Sequence, residues 1–380
     1  TICQSETALI ENFIRTLHEN DVDMLISFGA ADEDIPLLIK RIEKRQIRDR
    51  WRFGRMKITH GNYGNLQPIQ AVAGRLIVDV RNSCKEFLRS KVNDLSSIVE
   101  VQFHEERVSI DYLDLSDAIT DDKKLRKIIA HNKRDVKYMV DLIQHIKTLP
   151  LTMEISRLSG CPWSRVIMGG SSHRCESLLV HQFTEFGYVI PNKILQMQGK
   201  SQEAKYKGGK VLDPIKGFHD KCIILLDFNS LYPSVIREYN ICFTTLDPNN
   251  PDAMESMKKR PGILPRLMAK FLDRRRELKR MLAEESKQGK PRAEVIQQLN
   301  IQQLAVKLLA NSMYGYLGYK GSRFRAQKIA ALVTEMGRKT LDTAKFIVEN
   351  EGLQIVYGDT DSVMVDSGVK DPREALQRAN

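Results

Sequence analysis

The stretch IVYGDTDSVMV, residues 355–365, places two aspartates between two short apolar runs. The flanking residues 353–356 and 363–365 predict two strands, and the Gly-Asp-Thr-Asp between them predicts a tight hairpin turn. Because residues i and i+2 of an extended chain project to the same side, we expect the carboxylates of Asp359 and Asp361 to point the same way. Two such anions repel each other unless a cation lies between them or one of them carries a proton. A solvated turn, in which each aspartate bonds its own backbone, is the alternative.

A third carboxylate follows another apolar run. Residues 223–226 are Ile-Ile-Leu-Leu and predict a buried strand, which Asp227 ends. If this strand lies beside the hairpin in one sheet, three carboxylates converge, and such oxygen clusters hold hard divalent cations such as Mg²⁺. Two of these ions can clamp the attacking and leaving oxygens of a phosphoryl transfer. Taken alone, Asp227 is more typical of a cap at the end of a strand.

Basic side chains in residues 261–320 supply the opposite charge. This region predicts two long helices that a Gly-Lys-Pro separates. Arg275 and Lys279 are four residues apart on the first helix and therefore share a face. Lys307 and Asn311 have the same spacing on the second helix. Two such faces would cradle a triphosphate and its leaving pyrophosphate. Acidic residues interleave in the same stretch, so a solvated basic face is the alternative.

Two tyrosines follow these charged positions. Tyr232, five residues after Asp227, is placed to stack under a sugar and leave no room for a 2′-hydroxyl. Tyr314 and Gly315 follow Asn311 by about one helical turn, where a ring and a bare backbone would approach a base pair closely. Each tyrosine taken singly is more typical of packing.

The amino-acid composition limits the classes of protein to which the chain can belong. The chain has 380 residues, 42% of them hydrophobic, which predicts two or three globular domains. Its net charge of +11 permits an anionic partner, with nucleic acid the first candidate, although ribosomal and membrane-surface proteins share this balance. The six cysteines form no C-x-x-C pair, which indicates a reducing compartment. Neither a membrane-spanning apolar run nor a signal-peptide pattern occurs, so we expect an intracellular protein with no membrane association.

The N-terminal part alternates between helix and strand patterns, which predicts an α/β domain in residues 1–150. Helix patterns cover residues 5–19, 32–45 and 122–146, and strand patterns cover residues 23–28 and 75–80. Residues 151–215 carry turn signals such as SGCPW and MGGSS and predict an irregular connector. The chain lacks an initial methionine and ends in a stretch typical of the start of a helix, so we expect a fragment of a longer protein.

Three motifs, in this order, resemble motifs A, B and C of the family B DNA polymerases: DFNSLYPS (227–234), KLLANSMYG (307–315) and YGDTDS (357–362). Wider strings such as ANSMYGYLGYKGSRF and AALVTEMGRK are most similar to the alpha-type enzymes of eukaryotes. The resemblance covers almost the whole chain and is strongest from about residue 140 to 367. It implies an α/β and α+β multidomain fold, in which an RNase H-like exonuclease domain precedes a polymerase palm with two-helix fingers.

The resemblance also implies the domain boundaries. We expect an exonuclease-like domain, a connector, a first palm segment with motif A, the fingers with motif B, and a second palm segment with motif C that stops before a thumb. The corresponding residues are 1–150, 151–215, 216–260, 261–320 and 321–380.

Roles for single residues follow from the same resemblance. The catalytic carboxylates would be Asp227, Asp359 and Asp361, of which Asp359 is a supporting acid. Two Mg²⁺ ions would be bound by Asp227, Phe228 and Asp361. The incoming nucleotide would be bound by Arg275, Lys279, Lys307, Asn311, Tyr232 and Tyr314. Among these, Tyr232 matches the steric gate against ribonucleotides and Tyr314 the residue that probes the nascent base pair. The template would be contacted by the Y-x-G-G segment, through Tyr206, Gly208 and Gly209.

The exonuclease-like domain departs from the pattern of an active one. Editing members of the family carry Asn-x-x-x-Phe-Asp, where this chain reads GAADED with Gly29 in place of the Asn and Asp34 kept. Their Tyr-x-x-x-Asp pattern is HNKRD here, with His131 in place of the Tyr and Asp135 kept. Their first motif would lie before residue 1. Because the Tyr that positions the attacking water is missing, we expect a silent domain.

The resemblance implies a DNA-directed DNA polymerase that adds dNTPs to an RNA or DNA primer on a DNA template. The alpha-type likeness implies a nuclear enzyme that extends RNA primers in replication initiation without proofreading. It also implies a primase and an accessory subunit as partners, bound through regions outside this chain. The alternatives are another family B enzyme of delta, zeta or viral type, a nuclease acting through residues 1–150, and a catalytically silent polymerase scaffold. The three retained aspartates disfavour the scaffold.

Overall fold

The computed structural model describes residues 3–56, 66–88, 91–92, 94–108, 110, 121–192, 207–247 and 250–379. The chain divides into two units. Unit 1 is formed by Thr1–Arg157 and Cys161–Gly170, and unit 2 by Leu158–Gly160 and Ser171–Asn380. No helix in these described ranges is long and apolar enough to cross a membrane.

Unit 1 combines helices with a small parallel sheet. Its helices are α1 (Glu6–Glu19), α2 (Ile35–Lys44), α3 (Pro68–Ala71), α4 (Val80–Ser83), α5 (Leu95–Phe103), α6 (Asp122–Ile146), most of α7 (Thr148–Ser159) and α8 (Trp163–Met168). Its strands are β1 (Met24–Ser27) and β2 (Leu76–Asp79), which pair in parallel. Short π-helical turns lie at Ala30–Asp34 and Cys84–Leu88, and a 3-10 turn lies at Arg50–Phe53.

Strand β2 lies between two hydrophobic clusters of unit 1. Its side chains alternate, so that Ile77 packs with residues of α1 and α2 while Val78 packs with residues of α5 and α6. The N-cap of helix α1 is Ser5, whose hydroxyl accepts a hydrogen bond of 3.2 Å from the backbone N–H of Ala8. Helices therefore cover both faces of a parallel strand pair, and the α/β pattern predicted from the sequence is confirmed.

Unit 2 combines a four-stranded antiparallel sheet with long helices. Its helices are α9 (Ser171–Glu185), α10 (Leu231–Glu238), α11 (Ala253–Met257), α12 (Ile263–Ser286), α13 (Ala293–Gly318), α14 (Gln327–Asn350) and α15 (Pro372–Ala379). Its strands are β3 (Val211–Leu212), β4 (Ile223–Asp227), β5 (Gln354–Asp359) and β6 (Ser362–Asp366), in the order β3-β5-β6-β4. The hairpin predicted for residues 353–365 is formed by β5 and β6.

One face of this sheet packs against α14. Leu341 of α14 is buried with Val363 and Val365 of β6, while Met364 between them is 38% exposed on the opposite face. The prediction that residues 223–226 form a buried strand is wrong, because β4 is an edge strand and Leu225 remains 58% exposed. In the described part of the chain, the face opposite α14 therefore has much less cover than the α14 face.

Helices α12 and α13 pack against each other as the pair predicted for residues 261–320. The turn that joins them is held by Glu285, whose side chain is only 6% exposed. Its Oε1 accepts hydrogen bonds from the backbone N–H of Arg292 at 3.1 Å and from the guanidinium Nε of the same residue at 2.9 Å. This ion pair fixes the tip of the helical pair.

Residues 151–215 are more regular than the sequence predicts, because three helices, α7, α8 and α9, occupy most of residues 148–185. The turn signals mark short breaks between these helices rather than a continuous loop. Gly160 takes a φ of +65° after α7, and Pro162 is the N-cap of α8. Pro150 lies in the first turn of α7, where its missing N–H costs no helical hydrogen bond.

Candidate active site

The sheet of unit 2 brings Asp227 next to the hairpin turn. Strands β4 and β6 pair antiparallel, with Asp227 opposite Ser362. The backbone N–H of Phe228 donates a hydrogen bond of 2.7 Å to the carbonyl of Asp361. Strand β5 ends at Asp359, which is also opposite Ser362. Asp227 at the end of β4, Asp359 at the end of β5 and Asp361 in the turn before β6 therefore meet at one end of the sheet.

The charge of Asp361 is unfavourable in this position. Burial raises the pKa of its carboxyl above the usual 3.8, and the nearby charges of Asp227 and Asp359 raise it further. Among the described residues, no Lys, Arg or His side chain lies within ion-pair distance of these three aspartates. Asp227 and Asp359 are exposed and Asp361 is half-buried, so that like charges lie together at one end of the sheet with no cationic side chain beside them in the described part of the chain.

Asp359 has a different local environment from the other two acids. Its Oδ1 accepts a hydrogen bond of 2.8 Å from the hydroxyl of Thr360, and its backbone carbonyl accepts one of 2.6 Å from the N–H of Asp361. Within the described ranges, no group of three His, Cys, Asp or Glu side chains has the spacing of a metal site. The structure therefore brings Asp227 and Asp361 together as a pair and leaves Asp359 bonded to its own turn.

This pair suits a hard cation on chemical grounds. Carboxylate oxygens are the ligands that Mg²⁺ prefers, and a nearby divalent ion favours the ionised form of an acid whose pKa burial has raised. The backbone of Phe228 lies beside both aspartates because its N–H is bonded to Asp361. Asp227, Phe228 and Asp361 are thus the residues that could hold such an ion.

The basic residues of α12 and α13 form a second charged group. The pKa of Lys279 is lowered by the charge of Arg275, then by burial and by the charge of Lys307. Burial lowers the pKa of Arg275, and its buried Nε has no hydrogen-bond partner among the described residues. Arg275 and Lys307 are half-buried and Lys279 is exposed, and three cations that repel one another in this way favour an anion as the ligand.

The acidic residues of α12 do not neutralise this group. Three of them pair instead with basic residues of their own helix: Asp273 with Arg276, Glu277 with Arg274, and Glu284 with Arg280. The fourth, Glu285, pairs with Arg292 in the turn that follows. Three of the acids that interleave in the sequence therefore pair with other arginines of α12. Among the described residues, no acid lies within ion-pair distance of Arg275, Lys279 or Lys307. This separation favours an anion site over a solvated basic face.

One hydrogen bond joins the basic group to the segment that follows Asp227. Nη1 of Arg275 donates to the hydroxyl of Ser230 at 3.0 Å. Ser230 follows Asp227 by three residues and takes a φ of +56°, a left-handed conformation that is uncommon for serine. A cleft of about 220 Å³ lies beside this contact, lined by Asn229, Ser230, Ser234, Arg237, Leu272, Arg275, Arg276 and Lys279. Sequence analysis missed Ser230, whose signal was its place in motif A, and Arg237, which lies three residues beyond that motif.

Tyr232 and Tyr314 lie against each other. Their ring centroids are 4.4 Å apart with an angle of 38° between the planes. Tyr232 also lies close to α14, where a methyl group on Gly337 would be 3.1 Å from its ring. Asn311 is exposed and Lys307 is half-buried on the same helix as Tyr314. The two tyrosines predicted to contact sugar and base pair are thus one aromatic surface.

The Y-x-G-G segment is partly described. Tyr206 lies outside the described residues, whereas Gly208 and Gly209 lie beside α14 and the hairpin turn. The carbonyl of Gly208 accepts a hydrogen bond of 2.7 Å from Arg338. Sequence analysis missed Arg338, although its spacing of four from Thr334 and from Asp342 on α14 was a usable signal.

The retained acids of unit 1 have protein partners. Both carboxylate oxygens of Asp135 accept hydrogen bonds from the guanidinium of Arg107, at 2.8 and 2.7 Å. Nδ1 of His131 lies 3.4 Å from the same carboxylate. Asp34 accepts a hydrogen bond from the hydroxyl of Ser27.

Asp79, which the sequence did not single out, is the most buried acid of this group. It is 1% exposed and accepts hydrogen bonds from the backbone N–H groups of Gly29, Ala31 and Asn82, at 3.3, 3.0 and 3.1 Å. Gly29 takes a φ of +103°, which glycine adopts without strain. The residue that replaces the expected Asn therefore shapes a turn around Asp79.

Two family models match the chain. The model for DNA polymerase family B matches residues 161–380, and the model for the exonuclease domain of DNA polymerase family B matches residues 1–98.

Curated relatives carry the name DNA polymerase alpha catalytic subunit. The chain is 35% identical over 413 residues to the one from Xenopus laevis, with 100% of this chain and 28% of the relative covered. It is 36% identical over 394 residues to the one from Dictyostelium discoideum, with 99% and 25% covered. The chain thus spans about a quarter of the length of these relatives.

A solved structure is also similar. The family B DNA polymerase from the hyperthermophilic archaeon Pyrobaculum calidifontis matches with a TM-score of 0.75 and 27% identity, over 100% of this chain and 49% of that one.

Proposed function

Because this chain belongs to DNA polymerase family B, we propose that it forms the catalytic core of a template-directed DNA polymerase of the alpha type. The observation that carries this proposal is the contact between Arg275 and Ser230, three residues from Asp227. Through Ser230 it brings a group of cations close to a pair of carboxylates, and within the described ranges neither group has an ion-pair partner of opposite charge. The Cα atoms of residues 227 and 230 are at most about 11 Å apart, a span suited to a triphosphate.

The proposed reaction is attack of a primer 3′-hydroxyl on the α-phosphate of a dNTP. A bond forms between the hydroxyl oxygen and the α-phosphorus, the bond from that phosphorus to the bridging oxygen breaks, and pyrophosphate leaves while the hydroxyl proton passes to solvent. Arg275, Lys279 and Lys307 bind the triphosphate and stabilise the charge that grows on the leaving pyrophosphate. Because these cations are already assembled, they need little rearrangement during the reaction.

We propose that Asp227, Phe228 and Asp361 hold two Mg²⁺ ions. When bound, the metal would supply Lewis-acid charge at the reacting oxygens. The carboxylates of Asp227 and Asp361 would set where that charge lies, since Asp227 ends β4 and Asp361 directly precedes β6, which pairs with β4. Asp359 supports the turn by its bond to Thr360.

The aromatic surface of Tyr232 and Tyr314 supplies selectivity in this proposal. A ring fixed between α13 and α14 would lie under the sugar of the nucleotide and exclude a 2′-hydroxyl by contact. Tyr314, packed on Tyr232, would contact the nascent base pair. Gly208 and Gly209, with Tyr206, would contact the template strand.

We further propose that the exonuclease-like unit is silent. Arg107 occupies both oxygens of Asp135, so this carboxylate has little capacity left for a metal ion. The names of the relatives describe catalytic subunits, so we propose partner subunits, including a primase that supplies RNA primers, and a nuclear location.

Primer extension tests the proposal. The protein is incubated with an RNA-primed DNA template, Mg²⁺ and dNTPs, and the same primer is followed without dNTPs. Extension without degradation is the expected result. Tyr232→Ala should raise the use of ribonucleotides relative to dNTPs, and an unchanged ratio would remove the gate role. Degradation of the primer would show that unit 1 is active and contradict the alpha-type assignment.

A further inference from the structure

A short glycine-containing segment, Lys207–Lys210, lies between α14 and the turn that carries Asp359 and Asp361. We call it the KGGK segment. It contacts α14 through Thr334, Arg338 and Asp342, which are spaced by four residues and therefore form one stripe along the helix.

The stripe holds both ends of the segment. The hydroxyl of Thr334 donates to the carbonyl of Lys207 at 3.1 Å. Nη1 of Arg338 donates to the same carbonyl at 2.9 Å and to that of Gly208 at 2.7 Å. The ammonium group of Lys210 lies 2.5 Å from the carboxylate of Asp342. Charged donors on backbone carbonyls and a closing ion pair fix the path of the segment on α14.

The opposite side of the segment contacts Thr360, the residue between the two aspartates. The carbonyl of Lys210 accepts a hydrogen bond of 2.8 Å from the N–H of Thr360. Gly209 lies against the Thr360 side chain so closely that a methyl group there would be 2.5 Å from Oγ1 and 2.9 Å from Cγ2. Only a glycine therefore fits at position 209 while Thr360 keeps its place.

Thr360 is itself held in an uncommon conformation. Its φ of +53° is an outlier for a β-branched residue and persists only where neighbouring contacts impose it. Its hydroxyl donates to Oδ1 of Asp359 at 2.8 Å. A shift of Thr360 would therefore move Asp359 directly and Asp361 as the next residue.

We propose that the KGGK segment is a positioning element for the catalytic turn. Clamped on α14, it holds Thr360 in its left-handed conformation and so sets the positions of Asp359 and Asp361. Because the proposed function places this segment against the template, template contact and the geometry of the reacting centre are coupled through Thr360. The inference rests on that proposed function.

A different explanation of the glycines is that the template backbone approaches them. The two explanations make different predictions for Gly208 and Gly209. A methyl group on Gly208 would meet no atom within 4 Å, whereas one on Gly209 would collide with Thr360. A requirement set by the template would act on both glycines and show as weaker template binding, whereas the positioning role is specific to Gly209 and shows in kcat.

The experiment compares Gly209→Ala, Gly208→Ala, Thr360→Gly and the two double variants that combine each alanine with Thr360→Gly. Thr360→Gly removes the colliding atoms and suits a positive φ. We expect Gly209→Ala to lower kcat for dNTP addition about 100-fold, since displacements of about 1 Å at a reacting centre have effects of that size. Its template KM should change less than threefold.

Combining Gly209→Ala with Thr360→Gly should restore kcat to within about threefold of Thr360→Gly alone, which is strong non-additivity. The effect of Gly208→Ala on template KM should be the same in both backgrounds. Hydrogen exchange of the Thr360 amide provides a readout without catalysis, and its protection should fall in Gly209→Ala and in Arg338→Met.

Unchanged kcat in Gly209→Ala, or a loss that Thr360→Gly does not relieve, would overturn the positioning role. An effect confined to template KM would also overturn it, in favour of template contact alone. If the wild type extends no primer, the proposed function fails, and the exchange of the Thr360 amide still decides whether the segment positions the turn.

Discussion

One retained carboxylate of unit 1 and the aspartate pair of unit 2 lie in opposite environments. In unit 1, Asp135 accepts two hydrogen bonds from Arg107, and both side chains are less than a fifth exposed, at 17% and 18%. In unit 2, Asp227 and Asp361 lie together, and burial and mutual repulsion raise the pKa of Asp361. A carboxylate that already has an arginine is satisfied within the fold, whereas a pair without one costs stability unless a cation comes from outside.

The same contrast divides the cations of unit 2. Arg274, Arg276 and Arg280 pair with acids of α12, while Arg275 and Lys279 on the same helix lie together with Lys307. Charged groups that a fold leaves without partners at partly buried positions are candidates for binding ligands. Charge composition alone does not reveal this difference, since pairing depends on how side chains are placed around the helix.

The largest expected effect is on catalysis in unit 2. Asp361→Asn should lower nucleotide addition by about 10³-fold or more, because an amide is a poor ligand for the metal charge that the reaction needs. Steady-state primer extension measures the loss, and circular dichroism should show an unchanged fold. Activity within tenfold of wild type would contradict the assignment of Asp361.

Asp366→Asn is the matched control for this variant. Asp366 lies at the other end of β6, where its Oδ1 accepts a hydrogen bond of 2.8 Å from the N–H of Gly368. An asparagine oxygen can accept the same bond, so the variant removes one negative charge from the strand and should retain activity.

The same substitution should have opposite effects on stability in the two units. Asp135→Asn removes a bidentate partner from the partly buried Arg107 and should lower the free energy of unfolding by about 2 kcal/mol. Asp361→Asn removes a repelling charge and should leave stability unchanged or raise it. Urea unfolding at pH 7 measures both. Equal losses in both variants would show that the comparison between the units is wrong.

Arg107→Met combined with Asp135→Leu controls for the first of these effects. Removing both partners leaves no charge buried alone, so the double variant should lose less stability than Asp135→Asn. Primer extension should be unchanged in both, since neither residue belongs to the proposed polymerase site.

A smaller difference, in the KM for dNTPs, is expected between two single-cation variants of α12 and α13. They compare Lys307, which lies with Arg275 and Lys279, with Arg280, which pairs with Glu284. Lys307→Ala should raise the KM for dNTPs about 10-fold, because it removes one charged contact to the triphosphate. Arg280→Ala, whose side chain is 72% exposed beside Glu284, should change the KM by less than twofold. Template affinity should stay the same in both, and equal changes in KM would contradict the distinction between paired and unpaired cations.

Much of the difference between charged groups that have a partner of opposite charge and those that do not could not be predicted from the sequence. The hairpin around Asp359 and Asp361 and the two long helices followed from periodicity. The fold class followed from the family resemblance, which the comparisons confirm. The exposure of β4 could not be predicted, because apolar composition does not tell an edge strand from a central one. The partner of Asp135 could not be predicted either, since Arg107 is 28 residues away in sequence and reaches it only in the fold.

The same limit applies to Gly209 and Thr360, which are distant in sequence and in contact in the fold. A glycine in a turn-like segment predicts freedom of the backbone, and only the structure shows that a threonine side chain occupies the missing volume. Long-range contacts of single residues are what the pattern of one sequence does not contain.

The smallest expected effect concerns Glu285, an acid of unit 2 that pairs with Arg292. It tests whether the pairing of a carboxylate, rather than the unit that contains it, decides its effect on stability. The side chain of Arg292, then its backbone N–H, lowers the pKa of Glu285 from 4.5 to about 2. Because the folded-state pKa is depressed, its contribution to stability is present above pH 4.5 and is lost as the pH falls toward 2. Unfolding of the protein followed between pH 6 and 3 should show this loss in the wild type and a flatter profile in Glu285→Gln.

Glu284→Gln, one residue away and exposed, should keep the wild-type profile. A flat profile in Glu284→Gln as well would mean that the slope comes from general charge and not from the buried pair. Asp361 contributes the opposite slope, since its raised pKa makes its ionisation unfavourable to folding as the pH rises above 3.8. The effect of each carboxylate on stability therefore depends on the partner that it has. Glu285 would behave like Asp135, although it lies in the same unit as Asp361.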